Sequence, residues 1–282
     1  MKSNNRLFKI IVGTVLLLIM MGYFLVLHFR MDEPIFLQHY YEEFIDREGN
    51  TIHSHTLPLS YITNRNDERV VVGMEFLEYP DILVFASEHQ DHMNTPGDAI
   101  GPYSIRHVNW KIGDVPEEVD LNETIVSEVT FLFDDGSDLT THIGEIHLNT
   151  LITEDTFLEF SSGFASSDGV SRTRYLVSED VKVSSLESPL LNKFSDRIQI
   201  EIGSETSSDA VGTTFQEGDD VTVSSEIISL EDDFNLLNIQ PILTLTNENN
   251  ERHQHRILNI NHINPHYTFN NIYRYIEEKE VE

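Results

Sequence analysis

Apolar positions fall into two regimes along this chain. From Ile10 to Phe29 they run almost without interruption (IIVGTVLLLIMMGYFLVLHF), with no Asp, Glu, Lys or Arg. At about 1.5 Å per residue this run covers the roughly 30 Å hydrocarbon core of a bilayer, so residues 10–29 read as a transmembrane helix. Downstream the period drops to two. Val129, Phe131 and Phe133 alternate with polar residues, Asp134-Asp135-Gly136-Ser137 supplies a tight turn, and Leu139, Thr141 and Ile143 resume the alternation. That is the pattern of a β-hairpin. After Gly144 the apolar set moves from odd to even positions, at Ile146 and Leu148, which predicts a β-bulge at the glycine.

Further strands are expected over 44–52 around Glu48-Gly49-Asn50, and over 70–77, 82–86 and 103–112. The second half repeats the grammar. Leu158, Phe160 and Phe164 lead into Ser167-Asp168-Gly169, followed by Thr173, Tyr175 and Val177; then Ile198, Ile200 and Ile202 alternate, as do Val221 and Val223. Leu243 and Leu245 enter a polar turn at 247–250, and the chain returns through Ile257 to Ile260. Frequent short strands with turn signals predict antiparallel sandwiches rather than alternating βα units. Phe131, Phe133, Ile146 and Leu148 also align, at an offset of 112, with Leu243, Leu245, Leu258 and Ile260, an echo that a duplicated β unit would produce but that any two hairpins of like length also give. One exterior helix is predicted, at the end, where Phe269, Ile272, Tyr273 and Ile276 fall on one stripe with Thr268 as its cap. The acidic tail Glu277, Glu278, Glu280 and Glu282 opposes that helix's dipole.

The expected fold class is therefore mainly β: an N-terminal transmembrane helix, two antiparallel β-sandwich-like units and a short C-terminal helix. The expected organisation is a cytoplasmic tail over 1–9, the helix over 10–29, a first β domain over 33–150 and a second over 156–282. Lys2, Arg6 and Lys9 precede the apolar run, whereas Arg30 is followed by Asp32 and Glu33, which orients the N-terminus to the cytoplasm and the C-terminus outside. The run exceeds the roughly 7–15 apolar residues of a cleaved signal and lacks a small-x-small site, so an uncleaved signal anchor is expected. No polar face marks it as a buried soluble helix.

Composition narrows the function classes. There is no cysteine among 282 residues, hence no disulfide, thiolate metal site or cysteine nucleophile. Residues 31–282 carry 14 basic and 48 acidic side chains, a formal −34, which excludes nucleic acid as a partner. The expected partners are the lipid bilayer, through residues 10–29, and an envelope or membrane protein. So large a like charge predicts an exterior portion stabilised by salt and, provided its histidines are exposed, by mild acid.

Thirteen histidines prompt a search for metal ligands. Glu88-His89-Gln90-Asp91-His92 is the densest cluster, but it lacks the H-E-x-x-H order and reads as a polar loop. His53-x-His55 and His253-x-His255 each place two imidazoles on one strand face without a third local ligand, and solvent-facing histidines are expected there. Asp134, Asp135 and Asp138 do not have calcium-loop spacing. Nucleophile-elbow, Ser-x-x-Lys and phosphate-loop motifs are absent, and Asn122-Glu123-Thr124 matches a glycosylation acceptor. No catalytic, cofactor or metal residue is assigned. The sequence supports a non-enzymatic binding, sensing or assembly module of a bacterial cell envelope, with a membrane-anchored metal-dependent hydrolase using His and carboxylate ligands as the alternative.

Overall fold

The computed structural model describes residues 2–48, 51–53, 55–88, 98–151, 157–166, 169–228, 234–263 and 267–279. A continuous helix, Lys2–His28, leads into a body built of four β-sheets. Large apolar side chains stand exposed along the helix, Leu17, Ile19 and Phe24 among them. Among the described residues no helix is long and apolar enough to cross a membrane.

Two sheets enclose the first core. One runs, in order, Ile35–Phe36, Leu57–Asn64, Tyr103–Asp114 and Leu83–Glu88, with Asp98–Ile100 also on Tyr103–Asp114. The other runs Ile260–His262, Asn235–Ile239, Gln38–Glu48, Asp138–Thr150, Thr124–Phe133 and Val71–Phe76, with Thr51–His53 on Gln38–Glu48. Phe36 stacks on Phe131 at 3.7 Å between ring centres, and Trp110 meets Phe76 edge-on in the same core. The second core lies between a sheet ordered Leu158–Ala165, Val170–Val177, Asp220–Ile227, Ile198–Ile202 and Glu205–Thr206, and another ordered Thr214–Phe215, Val181–Glu187, Ile242–Asn247 and Arg252–Arg256.

The predicted hairpin is present, with Leu139 opposite Phe131 and the turn glycine Gly136 at φ 85°. Its bulge is present as well: the register shifts between His142 and Ile146. Gly144 sits there at φ 101°, and a Cβ on it would lie 2.3 Å from the His39 backbone oxygen, so only glycine fits.

Three expectations need correction. The sheets are not all antiparallel: Gln38–Glu48 pairs in parallel with Asp138–Thr150 on one side and Asn235–Ile239 on the other. Nor do the cores follow each other along the chain. Leu236 faces the first core while its neighbours Leu237 and Ile239 face the second, and Ile272, Tyr275 and Ile276 of the C-terminal helix Phe269–Lys279 return to the first. An alternating strand placed between two cores supplies both from one sequence, a pattern that local periodicity cannot assign to either. The boundary was expected over 151–155, of which 152–155 lie outside the described residues. Finally, the 112-residue echo is one of burial only. Phe131 and Ile146 lie on antiparallel neighbours, whereas Leu243 and Ile260 lie in different sheets.

Candidate functional site

The strand Gln38–Glu48 carries the most unusual polar chemistry. Strand alternation sends His39, Tyr41 and Glu43 to one face and Tyr40 and Glu42 to the other. All of them except Tyr40 are fully buried. Glu42 accepts from the Ser188 hydroxyl at 2.6 Å, from the Gln240 backbone N–H at 2.8 Å and from the Leu190 N–H at 3.4 Å, while the Gln240 side-chain amide donates to the Glu42 carbonyl at 3.1 Å. Ser188 also caps the short helix Pro189–Lys193. Burial pushes the Glu42 carboxyl up, and the Ser188, Gln240 and Leu190 donors and nearby His147 partly offset this. Alongside, Lys193 lies over the Tyr40 ring at 4.4 Å and donates to Glu145 at 2.6 Å. This carboxylate ties a helix of the second core to the central strand of the first.

Glu43 points the other way. Its Oε1 accepts from the His55 backbone N–H at 2.6 Å, and its Oε2 is buried without a hydrogen-bond partner among the described residues. Burial raises its carboxyl to about 7, against the opposing pull of the His55 N–H and Arg256. Four residues earlier, His39 accepts the Ser60 N–H on Nε2 at 2.8 Å and donates from Nδ1 to the Ile143 carbonyl at 3.3 Å, which fixes a neutral tautomer. Burial lowers its imidazole to about 3.

A third cluster joins the neighbouring strands Leu57–Asn64, Tyr103–Asp114 and Leu83–Glu88. Tyr61 donates to Glu88 at 2.8 Å, Arg106 pairs with the same carboxylate, and Arg106 also reaches the Asp67 carbonyl at 3.3 Å. Arg69 pairs with Asp67 at 2.7 Å, and the Thr63 hydroxyl donates to that carboxylate. Although partial burial works against it, these donors hold the Asp67 carboxyl below its ordinary value. Each charge meets an opposite charge, an arrangement that holds strands together.

The residues singled out from sequence disperse. His89, Asp91 and His92 lie outside the described residues, as does the His53 side chain, while Glu88 enters the Arg106 pair. His55 is exposed. His253 and His255 share a face as expected, but not towards solvent: they lie opposite Leu245 and Leu243, His255 is buried, and His253 packs on Phe157 at 3.9 Å. Asp134 and Asp135 accept from Val70 N–H and from Ser137 within the hairpin turn. In the glycosylation-like triplet, Asn122 accepts from Thr150 N–H, and Thr124 is buried with its hydroxyl on the Asp120 carbonyl. Among the described residues, no group of three His, Asp or Glu side chains is placed to hold a metal ion. Sequence reasoning passed over Glu42 and Glu43 because adjacent acids are uninformative among 48; the available signal was their place inside the aromatic strand HYYEEFI.

No protein-family model and no curated protein matches the chain. Among solved structures, a crystal structure of the YadV chaperone aligns at 8% identity over 80% of this chain and 98% of that one. The TM-score of that alignment is 0.20.

Proposed function

We propose that this chain is a single-pass membrane-anchored protein whose β body lies outside the cell and acts as a non-enzymatic binding, sensing or assembly module of a bacterial envelope. The supporting observation is the junction between helix and body. The uncharged run of residues 10–29 lies almost wholly within the one continuous helix Lys2–His28, whose exposed apolar side chains have no core to enter. Within three residues of its end the chain is locked into the first core. Met31 is buried, its N–H donates to the Asn64 side chain at 3.0 Å and its carbonyl accepts from the same amide at 2.7 Å. Phe29 meets Phe269 and Tyr273 of the C-terminal helix edge-on. A body joined so directly to a span would sit on the bilayer surface without a linker.

The orienting bias is the basic flank before the helix and the acidic one after it. The test is fractionation with a reporter fused after Glu282. Carbonate-resistant membrane association, an uncleaved N-terminus and an exported reporter are expected; a soluble chain or a cytosolic reporter would overturn the proposal. Stoichiometric zinc or manganese retained by the purified chain through dialysis would replace the module reading with that of a metal-dependent hydrolase.

A further inference from the structure

Among the described residues, the strand Leu158–Ala165 ends the five-stranded sheet of the second core and pairs only with Val170–Val177. Edge strands are ordinarily blunted by charge, proline or brevity. This one has eight residues, no proline and a single charge, Glu159, and every residue after Leu158 is exposed. Ser166 N–H donates to the Val170 carbonyl, so in the antiparallel ladder Ser162 and Phe164 bond inward. Gly163 and Ala165 therefore turn their backbone groups to the open edge.

Both faces of that edge are apolar at the rim. Phe164 lies opposite Arg172 on the outer face, and Phe160 lies opposite core-facing Tyr175 on the other, its ring over Gly163. Phe160 and Phe164 are nonetheless 68% and 62% exposed. A strand added here would pass between the two rings and cover both. The same outer face carries Arg172 and Arg174, exposed and two residues apart, with no ion-pair partner among the described residues. Unpaired arginines side by side are unusual on an exterior of formal charge −34.

We infer that the edge Leu158–Ala165 receives an extended acidic segment of a partner protein as an added strand. The partner's backbone would bond to Gly163 and Ala165, and its acidic side chains would meet Arg172 and Arg174. Those arginines stand about two strand spacings from the added strand, roughly 9–10 Å, within the combined reach of an arginine and a glutamate. Self-pairing with a second copy is opposed by bringing two bodies of −34 together. The inference rests on the binding-module reading and names the class of partner.

The test uses the full chain in neutral phosphatidylcholine nanodiscs and a strand-length peptide alternating valine and glutamate, with its valine–lysine counterpart as control. The acidic peptide is expected to bind and the basic one not to bind. R172E/R174E should weaken binding ~tenfold or more, whereas R172K/R174K should largely restore it. A165P removes only an outward N–H, so it should keep the parent circular dichroism spectrum and lose the peptide. Failure of the acidic peptide to bind, equal binding of both peptides or indifference to A165P overturns the inference. So does retention by anionic phosphatidylglycerol vesicles in place of the peptide, or concentration-dependent dimerisation that A165P abolishes. Any of these outcomes in a chain that still fractionates with membranes removes the edge assignment and leaves the anchored-module reading standing.

Discussion

Glu42 shows how much one buried carboxylate can hold. Its two oxygens accept from Ser188, Leu190 and Gln240, groups drawn from the far side of the chain. Truncation to alanine would strand three donors at once, two of them buried, so E42A should destabilise the chain by about 2–4 kcal/mol. Glutamine keeps an acceptor and most of the shape, so E42Q should lose less; chemical denaturation of the two variants checks the order. Gly144 makes a comparable demand on the backbone. A methyl group there meets the backbone of His39, which cannot give way without parting the parallel pair, so G144A should cost at least about 2 kcal/mol and lower amide exchange protection in Gln38–Glu48.

At the scale of elements, the C-terminal helix was legible because its stripe and its cap are both local. Asn271 N–H donates to the Thr268 hydroxyl at 3.3 Å, the Thr268 N–H donates back to the Asn271 side chain at 3.0 Å, and Ile272 and Ile276 are buried. T268A should therefore cost roughly 1 kcal/mol, read as a lower Tm with the β signal in circular dichroism preserved. The hairpin and its bulge were legible for the same reason, since a turn glycine and a phase slip are written within about twenty residues. Parallel pairing on both sides of Gln38–Glu48 was not. It joins residues 38–48 to 138–150 and 235–239, and no neighbouring sequence records the direction of a distant partner. The strand histidines failed for a related reason: polarity suggested solvent for His253 and His255, but their register against Leu245 and Leu243 turned them inward.

For the whole molecule, the formal −34 of residues 31–282 still implies that screening salt raises Tm at neutral pH, but buried histidines change the expectation for acid. His39, His147, His255 and His262 are buried, so relief of repulsion no longer decides the outcome alone. Glu43 is raised from 4.5 to about 7; its contribution is fully present below 4.5 and is lost as pH rises through 7. His39 is lowered from 6.5 to about 3, so it removes stability as pH falls from 6.5 towards 3. Between 6.5 and 4.5 the two slopes, each about 1.4 kcal/mol per pH unit, oppose and nearly cancel. Tm should thus rise slightly as pH falls from 7.5 to 6.5, hold or rise a little further to about 4.5 because Glu42, also raised by burial, adds to the Glu43 slope, and then drop. Below that point His39 continues to charge while the carboxyls of Glu145 and Asp67, both held below their ordinary values, lose their pairs. E43Q removes one of the two opposing slopes, so its Tm should be flat above 6.5 and fall steadily below it. A variant profile superimposable on the parent from pH 7.5 to 4.5 would show that the Glu43 proton does not balance the cost of charging His39.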